Sequence, residues 1–470
     1  MTNPGDDGQP GLPFGSDYAP DEAAPQPGAR VRRRVQRQIE ELSTNRTNPV
    51  SQRQLVRAVS SRYQERRGRR LDTVADARGL DVLLVADEIL VTEQTWADPG
   101  ARGYLERQGL SEAELGCPDL ESRLVRLVTS EERTAQELDD VATELRSRGF
   151  AASLTHITPC SPVIKSRSLG GPAPAESLAP WAEYPVVDAG TGAVARVAVI
   201  DTGIAGAPRT DGWLESVERH HRDDPTTHGN DANVDLLDVD PHDGFLDFSD
   251  GHGTFVSGIV AQVAPSADIA VYRALKGGGA GSELDVACAM VRAVKAGAQV
   301  LNLSLGCQTR HDQPSLAIAA ALDWISEFER VHGAEVVVVA AAGNYGDTAP
   351  VWPAAFRRVV SVAAVSSDLR PTPWSSRGFW VDCSTIGEGI LSTFVEGTES
   401  YEFTGEPDTF GPNSFAHWSG TSFAAPQVAG AIARVMHEHG LGPREALSWL
   451  MVRGRAVPDF GQALNILPGV

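Results

Sequence analysis

Cysteine is scarce in this chain. Five thiols, Cys117, Cys160, Cys288, Cys307 and Cys383, are spread over 470 residues, odd in number and never spaced as C-x-x-C. That spacing excludes a disulfide framework and a cysteine-type zinc site as organising features, and it reads as reduced thiols in a reducing compartment. Long hydrophobic runs are missing too, since no stretch approaches the roughly 18 apolar residues of a membrane span. The opening MTNPGDDGQPGLPFGSDYAPDEAAPQPG is rich in Pro, Gly and Asp and lacks the basic start and apolar run of a secretory leader. Paired arginines follow in RVRRRVQRQIE, but no apolar segment comes after them, which argues against twin-arginine export. The expectation is a cytoplasmic protein without a membrane partner. Excess positive charge is also lacking. The net charge of −21 argues against nucleic acid as the main partner.

What is present changes along the chain. Residues 1–29 read as a disordered acidic tail with too little apolar surface to bury. Residues 30–70 reverse the sign, with thirteen arginines against Glu40, Glu41 and Glu65. Leu55, Val56 and Val59 put a narrow apolar stripe on a helix there. The segment reads either as a solvated basic helix or as an arm for an acidic partner or for the chain's own acidic domain.

Residues 71–160 read as a small α/β unit. DVLLVADEILVT, RLVRLVT and FAASLTHIT are strand-like, and TSEERTAQELDDVATELRSRG is a helix with Leu138, Val141, Ala142 and Leu145 on one face. Either Thr129 with Glu132 or Thr134 with Glu137 fits a capping box at its start. A Pro-, Gly- and Ser-rich linker occupies 161–189. From 190 to 470 the runs ARVAVIDTG, ADIAVYRAL, AQVLNLSLG, AEVVVVAAAGN and VVSVAAV are apolar at nearly every position. Such runs fit strands buried on both faces of a parallel sheet. ELDVACAMVRAVKAG and SLAIAAALDWISEFERVHG are the helices between them, a doubly wound α/β pattern with a mostly parallel sheet.

Active groups in such sheets gather at the carboxyl ends of strands. Asp201 stands just beyond VAVI, His252 lies between glycines in DGHGTF, and Ser422 opens a small-residue helix in WSGTSFAAP. Taken singly, each has an ordinary reading: a turn-forming Asp, a loop His, an N-cap Ser. Together they supply a nucleophile, a base for its proton and a carboxylate to orient the base. At a helix start, free N–H groups favour developing negative charge. Pro426 has no N–H for the Ser422 carbonyl, which is left free of that helical bond.

VAVIDTGI, DGHGTFVSGIV, NLSLG, VAAAGN and SGTSFAAPQVAGA resemble, in this order, the motifs of the subtilisin-like serine protease family, over about 190–455. The resemblance implies peptide-bond hydrolysis by Asp201, His252 and Ser422 at neutral to alkaline pH. It implies Asn344 as side-chain oxyanion donor alongside Ser422. It implies that Ser304–Leu305–Gly306 and Ala341–Ala342–Gly343 line the substrate pocket of a peptide or protein. No cofactor or catalytic metal is implied, although many relatives hold structural calcium. The 71–160 unit resembles a family prodomain in position, which would lay its last strand in the cleft. A permanently attached regulatory domain is the alternative for that unit.

Weaker signals remain. Cys307 places a thiol beside the expected pocket, where a bulky thiol reagent would interfere. HGNDANVDLLDVDPHDGFLDFSD holds Asp238, Asp240 and Asp243 one residue off an EF-hand interval, and reads as a solvated acidic loop. His220, His221, His228 and His242 are too irregular for zinc. A serine endopeptidase is the reading preferred. Its alternatives are a narrow-specificity processing protease or transpeptidase, and a latent protease-derived binding module.

Overall fold

The structure, a computed structural model, describes residues 27–44, 70–76, 78–79, 81–159, 171–175, 193–220, 232–238, 242–247, 249–275, 279–401 and 407–470. The tail expected over 1–26, the 45–69 part of the basic segment and most of the 161–189 linker lie outside the described residues.

The arginine-rich stretch supplies helix α1 (Ala29–Thr44), with Val31, Val35 and Leu42 buried along one face. A solvated basic helix would keep its polar side chains in water. Here Arg34 and Gln38 are buried instead. Arg34 pairs with Asp408 and lies 4.0 Å from Glu399. Gln38 donates to the Gly171 and His417 carbonyls at 2.8 and 3.1 Å and accepts from the Ser419 hydroxyl at 2.8 Å. The helix thus sits on the C-terminal half, three residues along the chain from Ser422.

The 71–159 region is an antiparallel sheet. Strands β3 (Leu110–Ala113), β4 (Leu124–Thr129), β2 (Asp81–Thr92) and β5 (Ala152–Pro159) follow one another, and β1 (Leu71–Ala75) pairs with β2. Helices α2 (Glu93–Ala97), α3 (Pro99–Arg107) and α4 (Ala135–Ser147) complete it. Of the two capping boxes expected, Thr134 with Glu137 starts α4, because Thr129 is consumed as the last residue of β4. Leu138, Val141, Ala142 and Leu145 fill the unit's own core with Ile89, Val91 and Leu127. Leu90, Leu115, Leu120 and Leu124 instead enter a core shared with the C-terminal half. Each such burial is worth about 1.5–3 kcal/mol. That outweighs a rim ion pair such as Lys295–Asp119 (2.9 Å), at about 0–1 kcal/mol.

The C-terminal half opens with a short edge strand, β6 (Ala173–Pro174), and then builds its sheet from β7 (Arg196–Asp201), β8 (Asp268–Arg273), β10 (Val300–Leu303), β11 (Val337–Ala341), β12 (Val359–Val365) and β13 (Cys383–Ile386), after β9 (Ala280–Ser282) has left to join β5. Strands β14 (Ile390–Thr393), β15 (Gly397–Thr398), β16 (Thr409–Phe410) and β17 (Phe415–Trp418) form two small outer sheets. Strands β18 (Arg455–Val457) and β19 (Gly461–Ala463) close the main one. Its order is β18-β19-β13-β12-β11-β10-β7-β8, parallel except at the β18–β19 edge. Helices α5 (His252–Val263) and α8 (Ala425–His439) feed the core on one face. Helices α6 (Glu283–Lys295) and α7 (Leu316–His332) feed the core on the other, and α9 (Pro443–Met451) follows α8. This is the mostly parallel, helix-covered α/β sheet that the continuous apolar runs predict.

The two halves meet along β5. Ile157, Thr158 and Pro159 pair antiparallel with Ser282, Gly281 and Ala280, and the Gly306 N–H donates to the Pro159 carbonyl at 3.1 Å. Buried at the same seam, Glu283 accepts from the His156 N–H at 2.9 Å and lies 3.0 Å from its Nδ1. Its other oxygen takes the Ala317 N–H at 3.0 Å and the Ser315 hydroxyl. Burial alone would raise the Glu283 carboxyl, but these bonds and the His156 charge hold it below the usual range.

Candidate active site

Asp201 ends β7 and His252 opens α5, so two distant residues meet where a strand stops and a helix starts. His252 Nδ1 lies 2.7 Å from Asp201 Oδ1, which also accepts the Thr202 N–H at 2.7 Å. The approach depends on Gly253, because a Cβ there would sit 2.2 Å from the Gly203 carbonyl oxygen. Both side chains are buried, and His252 Nε2 has no hydrogen-bond partner. The imidazole packs between Trp418 and Phe423, with ring centroids 5.7 and 5.4 Å away.

Phe423 is the residue after Ser422. The sequence puts Ser422 at a helix start, whereas the structure puts it in a 3₁₀ turn, Thr421–Phe423, leading into α8. The Ser422 carbonyl, deprived of a bond from Pro426, accepts the Ser304 hydroxyl at 2.7 Å. The Ser422 hydroxyl donates to the Ser304 carbonyl at 3.1 Å. Ser304 and Ser422 are thus locked to each other, and the hydroxyl bonds the residue after β10 rather than His252 Nε2. Asn344 faces the same turn. Its Oδ1 accepts the Thr421 N–H (3.0 Å) and hydroxyl (2.9 Å), while its Nδ2 lies beside Gly420, 3.5 Å from where a Cβ would stand.

The expected pocket segments differ in what they offer. Leu305 is fully buried, and Gly306 presents its N–H to Pro159. Ala341 and Ala342 are fully buried, the Ala342 N–H continues the sheet to the Val362 carbonyl at 2.9 Å, and the Gly343 N–H donates to the Thr421 hydroxyl at 3.1 Å. The 304–306 edge therefore carries main-chain pairing in this structure, and 341–343 buttresses the serine turn. Cys307 is buried, and burial pushes its thiol up, which weighs against the reactivity expected of it.

The acidic loop also departs from its solvated reading, because Asp235, Asp247 and Asp250 are buried. Asp235 Oδ2 accepts the Thr202 hydroxyl (3.1 Å) and the Gly251 N–H (2.9 Å). It thereby ties the residue after Asp201 to the residue before His252. Burial pushes its carboxyl up to about 7, against these two bonds and with help from the Asp201 charge. Spacing gave no sign of this strap, nor of Thr421 as the residue that aims Asn344. Asp238 spends its carboxylate on the Asp243 and Gly244 N–H groups (2.8 and 3.0 Å), while Asp240, His221 and His228 lie outside the described residues. Among the described residues no group of three such side chains converges as a metal set. No helix among them is long and apolar enough to cross a membrane.

A parallel α/β sheet that brings a carboxylate–histidine pair up against a serine turn has the layout of a serine hydrolase. The Subtilase family model matches residues 192–459, more than half of the chain, and the chain belongs to that family. Thermitase of Thermoactinomyces vulgaris is 32% identical over 286 residues, covering 58% of this chain and 83% of thermitase. The thermophilic serine proteinase of Bacillus sp. (strain AK1) is 36% identical over 206 residues, covering 42% of this chain and 44% of that protein. In fold, the chain is similar to the crystal structure of fervidolysin from Fervidobacterium pennivorans, a keratinolytic enzyme related to subtilisin. That likeness has a TM-score of 0.54 at 20% identity, over 82% of this chain and 60% of that one.

Proposed function

We propose that this chain is a serine endopeptidase in which Asp201, His252 and Ser422 act as the triad, Asn344 and the Ser422 N–H hold the oxyanion, and residues 71–159 occupy the substrate cleft until they are displaced. The observation that carries the reading is the 2.7 Å contact of His252 Nδ1 with Asp201, which leaves the opposite nitrogen buried without a partner.

The chemistry follows from that contact. A proton held on Nδ1 by the carboxylate leaves the Nε2 lone pair to act as a base. Ser422 must swing its hydroxyl from the Ser304 carbonyl toward Nε2, which takes the proton as Oγ bonds to the substrate carbonyl carbon. Asn344, fixed through its oxygen by Thr421, offers its amide N–H to the oxygen that becomes negative. The imidazolium, stabilised by Asp201, then gives its proton to the leaving amine, and water repeats the sequence on the acyl-serine. Substrate would pair with the 304–306 edge by main-chain bonds, the place where Pro159 now sits. This last contact favours a self-blocked chain over an open one.

A fluorophosphonate probe tests the proposal. Labelling of wild type once residues 71–159 are displaced, abolished by Ser422→Ala, is the expected result. No labelling after removal of residues 1–185 from a folded protein overturns it.

A further inference from the structure

Helix α6 turns one face toward the 71–159 unit. Asp285, Cys288, Arg292 and Lys295 follow one another at helical spacing along it, and Lys295 grips Asp119 at 2.9 Å. Two residues before Asp119 stands Cys117, buried at the start of the short turn Pro118–Leu120 and part of the same apolar core as α6. The Cys288 thiol is half-buried and packs against that same core, with Cys117 as a neighbouring group. Two of the chain's five cysteines therefore face each other across the junction of its two halves, one from each side.

We propose that Cys117 and Cys288 are a site of oxidative cross-linking, where a small peroxide converts the pair to a disulfide that ties residues 71–159 covalently to α6. The hydrogen bond from Cys288 and the nearby Arg292 charge hold the Cys117 thiol below the usual cysteine range, against burial and Asp119. Cys288, beside Cys117, buried and near Asp285, is held above it. In this scheme Cys117 is the nucleophile and Cys288 the resolving thiol. The Cys117 thiolate attacks one oxygen of hydrogen peroxide, the O–O bond breaks, and hydroxide leaves a sulfenic acid. Cys288 sulfur then displaces the hydroxyl of that sulfenic acid, its own proton leaves with it, and water is the second product. One peroxide is reduced for each disulfide formed.

The consequence, which rests on the cleft-occupancy reading above, is a chain that keeps its occupant when oxidised even after cleavage beyond Pro159. The site itself does not rest on that reading, and the experiment separates the two. Full-length Ser422→Ala protein is treated with hydrogen peroxide, unfolded, alkylated and digested. The expected product is a peptide pair joined through Cys117 and Cys288, with alkylatable cysteines falling from five to three. In Cys288→Ser, dimedone is expected to trap Cys117 as a sulfenic acid. The site is overturned if both thiols stay alkylatable. It is overturned equally if each is oxidised separately, or if the link forms equally well in urea-unfolded protein. Wild type nicked after Pro159 and probed with fluorophosphonate reads the consequence, with labelling expected to be several-fold slower in the oxidised form. A formed link with equal labelling overturns cleft occupancy and leaves the cross-linking site established.

Discussion

At the scale of single residues, the serine turn is a set of locks that must open in order. Ser422 and Ser304 hold each other through two bonds, so Ser304→Ala removes the hydroxyl that anchors the Ser422 carbonyl while leaving the main-chain acceptor in place. Asn344→Ala removes the proposed oxyanion donor. The expected result is a loss of about 10²–10³ in kcat with KM little changed, the size known for the corresponding donor of subtilisin. Asp235 gives a pH prediction. Its folded-state value of about 7 lies above the ordinary carboxyl value, so the native state keeps a proton that the unfolded chain loses. Its contribution to stability is present below about pH 4 and is lost as pH rises toward 7. Asp235→Asn should flatten that part of the stability–pH curve, measured by urea unfolding at a series of pH values. An unchanged slope would contradict the assignment. Asp201, His252 and Ser422 are legible as candidates because each sits near glycines or small residues at a strand end or helix start, whereas Asn344 is a candidate through the family resemblance. Asp235 and Thr421 are not legible. Their roles arise from what folds next to them, and one looks like any other loop acid.

At the scale of elements, strands that were apolar throughout were the easiest to read. β7, β8, β10, β11 and β12 all fall within the runs marked for them. β13 to β17 escaped notice because they are two to four residues long, β13 to β16 mix Ser, Thr or Gly into their runs, and β14 to β17 lie in the small outer sheets. α1 was legible as a basic segment but not as a docked helix. Nothing in its own sequence says that Asp408 and Glu399 wait for Arg34. Arg34→Ala leaves Asp408 only the largely exposed Arg30 and takes the buried cation from Glu399, and up to about 3–5 kcal/mol of stability should go with it. Thermal unfolding of the full chain checks this, with Arg32→Ala, on the exposed face of the same helix, as the control. The Glu283 junction makes a second prediction. A carboxyl held below its ordinary value gives stability above that value and loses it as pH falls. Acidification into the carboxylate range should therefore loosen β5 from α6 and expose Gly306, seen as faster amide exchange at that strand.

At the scale of the whole molecule, the two halves each have a core of their own and share a further one between them, and this is the part least visible in the sequence. A boundary near 160 follows from composition, but the sharing of Leu90, Leu115, Leu120 and Leu124 with α6 and α7 does not. Those residues read as ordinary core leucines of the smaller unit. If the chain processes itself, intact mass should show a shortened form in wild type and only the full chain in Ser422→Ala. An identical mass for both would remove self-processing from the account.

A cut beyond Pro159 would fall between α1 upstream and β6 downstream, yet these two lie side by side. Gln38 bonds the Gly171 carbonyl, and Ala173 packs on Val31 and Val35. The severed piece would stand on two feet, one in the cleft and one beside the serine turn. With either foot lifted, the other keeps it at an effective concentration on the order of millimolar, so it rebinds before it can diffuse away. Departure would then depend on whatever loosens both feet together, such as digestion of the fragment between them, and not on the grip of either one.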